Sequence, residues 1–144
     1  MYIIWQACRL QELDNPELGI NYLEIALDML ISVDSTYTSL LYSELGRART
    51  KNYQYKQAIK DFETALIYNP ADYSVLHEIA LVYDYNLKNR KKSIEYYKRY
   101  VKCMQDKTLS ENEEHPFDGY FKEYIEARIQ RLEEDEFMEG GKKK

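Results

Sequence analysis

Two histidines and two cysteines are among the residues of this 144-residue chain that are best suited to chemistry. His77 and His115 stand far apart, so they lack the four-residue spacing that places two imidazoles on one metal ion. Cys8 and Cys103 show neither a metal-ligand spacing nor a redox spacing. No metal site and no cofactor are therefore predicted, and the cysteines leave the redox compartment undecided.

The arrangement of the carboxylates and the absence of phosphate-binding motifs also argue against a catalytic site. The acidic residues 133–136 are consecutive, so on a helix they point around the axis rather than toward one centre. The sequence contains no glycine-rich loop that could open a helix for phosphate and no nucleophile-elbow pattern. The chain is expected to lack enzymatic activity.

Charge is distributed unevenly along the chain. The net charge is −5, but residues 111–139 hold eleven acidic and three basic side chains, a net of −8; residues 142–144 add +3, and residues 1–110 sum to 0. A nucleic-acid-binding protein normally shows a basic surface, so nucleic acid is not an expected partner. The basic cluster at 88–92 is interpreted as a solvated turn, because no aromatic platform is evident beside it.

No targeting or membrane-spanning segment is visible in the sequence. The first ten residues lack a basic leader, and the apolar stretch 22–33 carries Glu24 and Asp28. The compartment stays open: the cytoplasm is the default, and a periplasmic or secreted location requires that a leader has been removed. Because the chain opens directly on a helix-like pattern, we expect it to be a piece of a longer protein.

The sequence pattern predicts that the chain is built from helices, so any functional surface must be formed by helical side chains. Five glycines and three prolines provide few turns, and apolar residues recur at spacings of three and four. Helices are predicted at about 2–13, 16–32, 36–50, 54–68, 72–86 and 90–105. The links between them are short and rich in Asn, Asp and Lys, so successive helices should run antiparallel.

Small and bulky residues recur along the chain in the same order and at similar spacing. In one unit the markers are Gly46, Ala58, Phe62 and Ala65. Stepping back by 39 gives Ala7, Gly19, Leu23 and Ala26; stepping forward by 34 or 35 gives Ala80, Ser93, Tyr97 and Tyr100. A compact side chain lets two helices approach closely, so we expect these positions to lie where paired helices cross.

The stretch 39–72 resembles the tetratricopeptide repeat (TPR) family. The residues that match at the family's spacing are Leu45-Gly46, Tyr55, Ala58, Phe62, Ala65-Leu66 and Pro70. Arg49 stands where the family usually has an aromatic residue. The stretch 73–106 matches at Ile79-Ala80, Tyr83 and Tyr97, but it has one extra residue between its helices and Tyr100 in place of a small residue.

The resemblance covers about residues 1–106 and implies an all-α fold. The expected architecture is a right-handed superhelical stack of antiparallel helix pairs, an α-solenoid, with units at about 1–35, 39–72 and 73–106. The first helix of each pair would line a concave groove that binds other chains. By resemblance, the groove residues are Ile4, Cys8, Ser43, Arg47, Lys51, His77, Leu81, Asp84 and Tyr85.

A further helix is predicted beyond the repeats. Residues 117–136 carry an apolar face made of Phe117, Phe121, Tyr124, Ile125, Ile129 and Leu132. This helix should cap the last repeat, since the exposed apolar side of a terminal repeat needs a cover. The prediction is one domain over 1–136, with a loop at 107–116 and a disordered tail at 137–144.

The leading hypothesis is a non-catalytic protein-protein interaction module that holds a peptide or a partner helix in the groove. One alternative is a structural spacer or self-association segment of a larger polypeptide. Another is a regulatory domain attached to an enzyme or a sensor. The sequence names no partner, and it leaves a homo-oligomer open.

Overall fold

A computed structural model describes residues 15–30, 35–111 and 116–141, and their side chains at 15–29, 37–106 and 121–138. The helices are α1 (Pro16–Leu30), α2 (Ser35–Lys51), α3 (Tyr55–Tyr68), α4 (Tyr73–Leu81), α5 (Arg90–Glu111) and α6 (Pro116–Gly141). A π-helical turn, Val82–Asn86, follows α4. These residues contain no strand, so the all-α prediction is confirmed. The helix predicted at 2–13 lies outside the described residues.

The chain divides into two compact units between Val75 and Leu76. In the N-terminal unit, α2 packs against both α1 and α3. In the C-terminal unit, α5 packs against α6 and against the π-helical turn. The single domain and the superhelical arrangement expected from the sequence stay predictions.

Gly46 marks the close approach of α2 to α3 in the N-terminal unit. A Cβ atom added at Gly46 would lie 2.6 Å from Phe62 Cε1, 2.7 Å from Cδ1 and 2.9 Å from Cζ. Carbon atoms pack best at roughly 3.5–4.0 Å, so no side chain fits there without moving the ring. That ring is itself 0% exposed. The glycine is therefore required by the packing of its neighbour.

The other repeat markers are buried as well. In the N-terminal unit these are Gly19, Leu23, Ala26, Ala58 and Ala65; in the C-terminal unit they are Ala80, Ser93, Tyr97 and Tyr100. Burial is what positions at helix crossings require, but the crossing itself stays a prediction for these residues. Ala7 lies outside the described residues.

Asparagine and aspartate side chains begin three of the helices. Asn15 Oδ1 accepts a hydrogen bond from the Leu18 backbone N–H at 3.2 Å, and Asn89 Oδ1 accepts one from Lys92 N–H at 3.2 Å. Asp72 Oδ1 accepts one from Val75 N–H at 3.3 Å. Such caps satisfy backbone donors that have no partner inside the helix. The Asn and Asp residues of the short links therefore define where α1, α4 and α5 start.

The π-helical turn accommodates the extra residue of the third repeat. Two markers that are twelve positions apart in the second repeat, at 46 and 58, correspond to 80 and 93 in the third, thirteen apart. The Leu87 backbone N–H donates to the Val82 carbonyl at 2.9 Å, five residues back. A wider turn of this kind absorbs one residue without breaking the helix.

Two predicted boundaries are wrong. Helix α5 continues through 107–111, where a loop was predicted. Helix α6 continues through 137–141, which was expected to be disordered. No proline lies between Pro70 and Pro116. Pro116 itself occupies the first position of α6, where its missing N–H costs little.

No helix in the described part of the chain combines the length and the apolar character that crossing a membrane requires.

Replacing Gly46 with alanine is expected to destabilise the N-terminal unit. Alanine favours a helix by about 1 kcal/mol over glycine, but overpacking a filled core costs about 1–3 kcal/mol. We expect a net loss of about 1–2 kcal/mol in the free energy of unfolding, measured by urea titration. The double variant G46A/F62L should lose less than the sum of the single variants, because leucine frees the space of the ring. Additive losses would show that Phe62 is not the obstacle.

Ser93→Ala is expected to stabilise the C-terminal unit. Ser93 is 0% exposed, and its hydroxyl has no hydrogen-bond partner. A buried polar group without a partner costs about 1–3 kcal/mol, so its removal should raise the free energy of unfolding by about 1 kcal/mol. Ser93→Thr, which keeps the hydroxyl and adds a methyl group, should instead lower it. A less stable alanine variant would refute this account.

Candidate functional site

Three helices of the N-terminal unit meet at Arg49, the residue that replaces the expected aromatic. From α2, Arg49 Nη1 donates to both carboxylate oxygens of Asp61 on α3, at 2.7 Å each. Its Nη2 donates to Glu24 Oε1 on α1 at 2.6 Å. An ionic link between α1, α2 and α3 thus stands where the family places an aromatic ring.

Asp61 has the most unusual environment in this link. It is 6% exposed. Burial raises the pKa of Asp61 to about 6, because the loss of hydration outweighs the attraction of Arg49, and the negative charge of Glu24 raises it further. The perturbed carboxyl therefore has a structural cause and does not by itself indicate catalysis.

The predicted groove residues of the N-terminal unit differ in accessibility. Ser43 is 2% exposed, and its hydroxyl donates to the Leu40 carbonyl at 2.8 Å. Its expected role in lining a groove is therefore wrong. Arg47 is partly exposed and forms an ion pair with Glu44, and Lys51 is exposed. Ile4 and Cys8 lie outside the described residues.

Asp84 requires a second correction, because it is buried inside the C-terminal unit rather than open to a partner. Arg128 Nε donates to Asp84 Oδ2 at 2.8 Å, and Nη2 donates to Oδ1 at 2.7 Å. The Tyr97 hydroxyl donates to Oδ2 at 3.2 Å. Burial and the negative charge of Asp84 raise the pKa of Tyr97 well above its ordinary value. This forked pair fastens α6 to the π-helical turn.

His77, another predicted groove residue, is packed among aromatic rings. Its ring centroid lies 5.2 Å from those of Tyr100 and Phe121 and 6.2 Å from that of Tyr97. Burial lowers the pKa of His77 below its ordinary value, although Glu78 opposes this shift. The neutral imidazole therefore acts as part of the packing under α6.

An exposed aromatic surface lies on the C-terminal unit, and we call Tyr85, Phe121 and Tyr124 the aromatic patch. These residues are 49%, 41% and 59% exposed. The rings of Phe121 and Tyr124 stack with centroids 6.4 Å apart. Hydrogen bonding to the Tyr124 side chain, together with burial, raises the pKa of Tyr85. The predicted groove residue Leu81 is partly exposed one helical turn before Tyr85.

Two cations lie against Tyr85 in this patch. The Arg128 guanidinium is 5.5 Å from the centre of the ring, and Lys88 Nζ is 5.9 Å from it. An aromatic ring therefore does lie beside the first lysine of the basic cluster, contrary to the sequence-based interpretation. A cation near the face of an aromatic ring is attracted to it, so these contacts help to hold the ring in place.

Helical periodicity assigned Phe121 and Tyr124 to the covered face of the capping helix. The structure covers Ile125, Ile129 and Leu132 instead, which are at most 8% exposed. The aliphatic residues alone follow a spacing of four and then three. This stricter pattern could have distinguished the covered aliphatic residues from the exposed aromatic ones. The aromatic residues flank this core stripe and remain accessible.

The described residues contain no group of three or more histidine, cysteine, aspartate or glutamate side chains placed to hold a metal ion. What the aromatic patch offers is ring surface, two hydroxyl groups and positive charge. These groups can contact another molecule through ring surface, hydrogen bonds and charge.

Comparison with known proteins shows the fold. No family model matches the chain, and no curated protein matches it. The crystal structure of MamA, a TPR-containing protein, superposes on 97% of this chain and 79% of its own, with a TM-score of 0.61 and 17% identity. A second MamA crystal structure covers 92% of this chain and 68% of its own, with a TM-score of 0.60 and 17% identity. The chain thus has an all-α helical-repeat fold of the TPR type.

Asp61 should make the N-terminal unit less stable as the pH rises. Its pKa is raised to about 6 in the folded state from 3.8, so the folded chain binds the proton more tightly than the unfolded chain does. The free energy of unfolding should therefore fall by about 1–3 kcal/mol between pH ~4 and pH ~6, relative to D61N. Urea titrations of both proteins across this range measure the difference. D106N, which removes an exposed carboxylate, controls for net charge, and parallel profiles for wild type and D61N would contradict the prediction.

Proposed function

We propose that this chain is a non-catalytic protein-interaction module whose aromatic patch binds a peptide or a helix from a partner protein. The observation that carries the proposal is the exposure of three contacting aromatic side chains on the C-terminal unit. The helical-repeat fold supports a protein-interaction role in general.

Energetics favour these residues as anchors. Tyrosine is enriched among the few side chains that dominate binding energy at protein interfaces, because its large ring loses little conformational entropy and its hydroxyl can still hydrogen bond. Tyr85 and Tyr124 combine both properties. Phe121 adds an apolar ring between them and the core.

The surface beneath the patch is well suited to hold these rings in place before a partner arrives. Asp84 is buried and joined to Arg128 by two short hydrogen bonds, and Arg128 in turn lies against the Tyr85 ring. Phe121 packs on His77. A rigid surface loses less entropy on binding, so preorganisation increases affinity.

Arg47 and Lys51 on α2 are a second, independent part of the proposal. Both belong to the groove implied by the TPR resemblance, and both side chains reach the surface. They would orient an acidic segment of a partner through charge, which mainly affects the rate and specificity of association.

The non-catalytic part of the proposal is supported by the causes of the shifted pKa values. Asp61 is perturbed within an ion-paired link between helices, and His77 within a cluster of rings. Burial is the largest cause of both pKa shifts. Packing accounts for both.

The experiment is a selection of binding peptides from a random library displayed on phage, with the full chain as the target. Enriched peptides are then titrated against wild type, Tyr85→Ala and Tyr124→Ala. We expect each variant to weaken binding about tenfold or more, as interface anchors do. Circular dichroism checks that the variants remain folded.

Tyr53→Ala is the matched control, because Tyr53 is 80% exposed but lies in the N-terminal unit. Its affinity should equal that of wild type. Peptides that bind both patch variants with unchanged affinity, or a library that yields no enriched peptide, would contradict the proposal.

A further inference from the structure

Helix α1 is attached to its neighbours by an apolar core and by one set of charges. The core that it shares with α2 contains Ile20, Leu23, Ala26, Leu27, Leu41, Leu45 and Ala48. One residue beyond Leu23 and one beyond Ala48, Glu24 Oε1 accepts a hydrogen bond from Arg49 Nη2 at 2.6 Å. The same guanidinium donates through Nη1 to both oxygens of Asp61 on α3. We call Glu24, Arg49 and Asp61 the three-charge cluster.

The net charge of the three-charge cluster depends on whether Asp61 carries a proton. With both carboxylates ionised, the cluster has one negative charge, and Arg49 is shared between two anions. When Asp61 takes up a proton, the cluster becomes neutral, and Glu24 is the only anion of the cluster that Arg49 attracts. The electrostatic attraction that holds Glu24, and α1 with it, is therefore stronger when Asp61 is neutral.

The charged groups that act on Asp61 come from the other two helices, Arg49 from α2 and Glu24 from α1. On α3 itself, positions three and four residues away hold only Gln, Ala and Thr. Burial raises the pKa of Asp61 to about 6; Arg49 opposes this shift, and Glu24 adds to it. Glu24 thus favours the protonated form of Asp61. Because coupling between two sites is reciprocal, protonation of Asp61 also favours the bound position of Glu24.

We propose that the three-charge cluster is a pH-sensitive latch, which holds α1 more tightly when Asp61 is protonated than when it is ionised. The latch acts on a local opening, in which α1 leaves while α2 and α3 stay packed through Gly46 and Phe62. The proposal concerns the N-terminal unit and does not involve the aromatic patch, so it can succeed or fail without the proposed function.

The opening would uncover the side of α2 on which α1 packs. Leu41, Leu45 and Ala48 lie there and are at most 2% exposed in the closed arrangement. Loss of the Asp61 proton should therefore make this apolar surface accessible more often. Proteins open locally in this way with free energies below that of global unfolding.

Hydrogen exchange of the α1 backbone amides, measured by NMR on the full chain, tests the latch. Protection factors are compared at about pH 5 and about pH 7, on either side of the Asp61 pKa, after correction for the intrinsic exchange rates. Protection in wild type should fall about threefold to fivefold over this range, a small coupling because the Glu24 side chain is 48% exposed. The D61N variant, which has no carboxyl to titrate at this position, should show no such fall.

The E24Q variant separates the latch from a general loss of stability. Asp61 still titrates in this variant, but its coupling to α1 through Glu24 is gone, so the fall in α1 protection should be clearly smaller than in wild type. The matched control is D28N, since Asp28 is an exposed carboxylate one turn further along α1 and is not among the charges that act on Asp61. It should behave as wild type.

Three outcomes would overturn the latch. The first is an equal pH dependence of α1 protection in wild type and D61N. The second is a fall in E24Q as large as that in wild type. The third is α1 amides that are protected to the same degree as α3 amides at both pH values, because α1 would then exchange only when the whole N-terminal unit unfolds.

Discussion

The contact between Gly46 and the Phe62 ring sets the distance between α2 and α3, and much of the N-terminal unit depends on that distance. The ring occupies the space that a Cβ atom would need, and it is closed off from water on every side. Two helices held this close leave room for little more than alanine at Ala58 and Ala65. Helix α2 then offers a fixed surface on which α1 packs through Leu23 and its neighbours.

The sequence was sufficient to predict the features that repeat. A helix crossing that requires a small residue places one at a regular interval in the sequence. This pattern, a small residue followed by a bulky one, occurs at Gly46 and Phe62 and again at Ala80 and Tyr97. Helix starts were predictable for a local reason, since Asn15 and its counterparts cap the backbone within three residues. The end of α5 was not predictable from the sequence, because 107–111 contain neither a proline nor a glycine that would stop the helix.

The candidate site was less predictable because its contacts join distant parts of the chain. Asp84 lies 44 residues before Arg128, and nothing in the local pattern distinguishes a buried aspartate from a solvated one. The exposure of Phe121 and Tyr124 depends on how α6 is rotated against α5. That rotation follows from Ile125, Ile129 and Leu132 together with the forked pair, which only the three-dimensional structure brings into view.

Both buried ion pairs occur where the chain departs from the repeat pattern. Arg49 replaces an aromatic ring, and Asp84 sits in the turn that holds the extra residue. A buried pair gains little net stability, because each charge loses its hydration. Its geometry is demanding, however, and a helix shifted by one turn would leave both charges unpaired. These pairs therefore favour one register of α1 with α2 and α3, and one of α6 with the π-helical turn.

The same few turns of helix α6 contribute both to the core and to the exposed surface. Its aliphatic stripe covers the core of the C-terminal unit, while its flanking rings contribute to the aromatic patch. A chain cut before Pro116 would thus lose the cover of its C-terminal core and two of the three rings of the aromatic patch in a single step. Shortening this protein from its carboxyl end cannot separate the folding of the C-terminal unit from the proposed binding at the aromatic patch, and only single side-chain changes on the outer edge of α6 can do so.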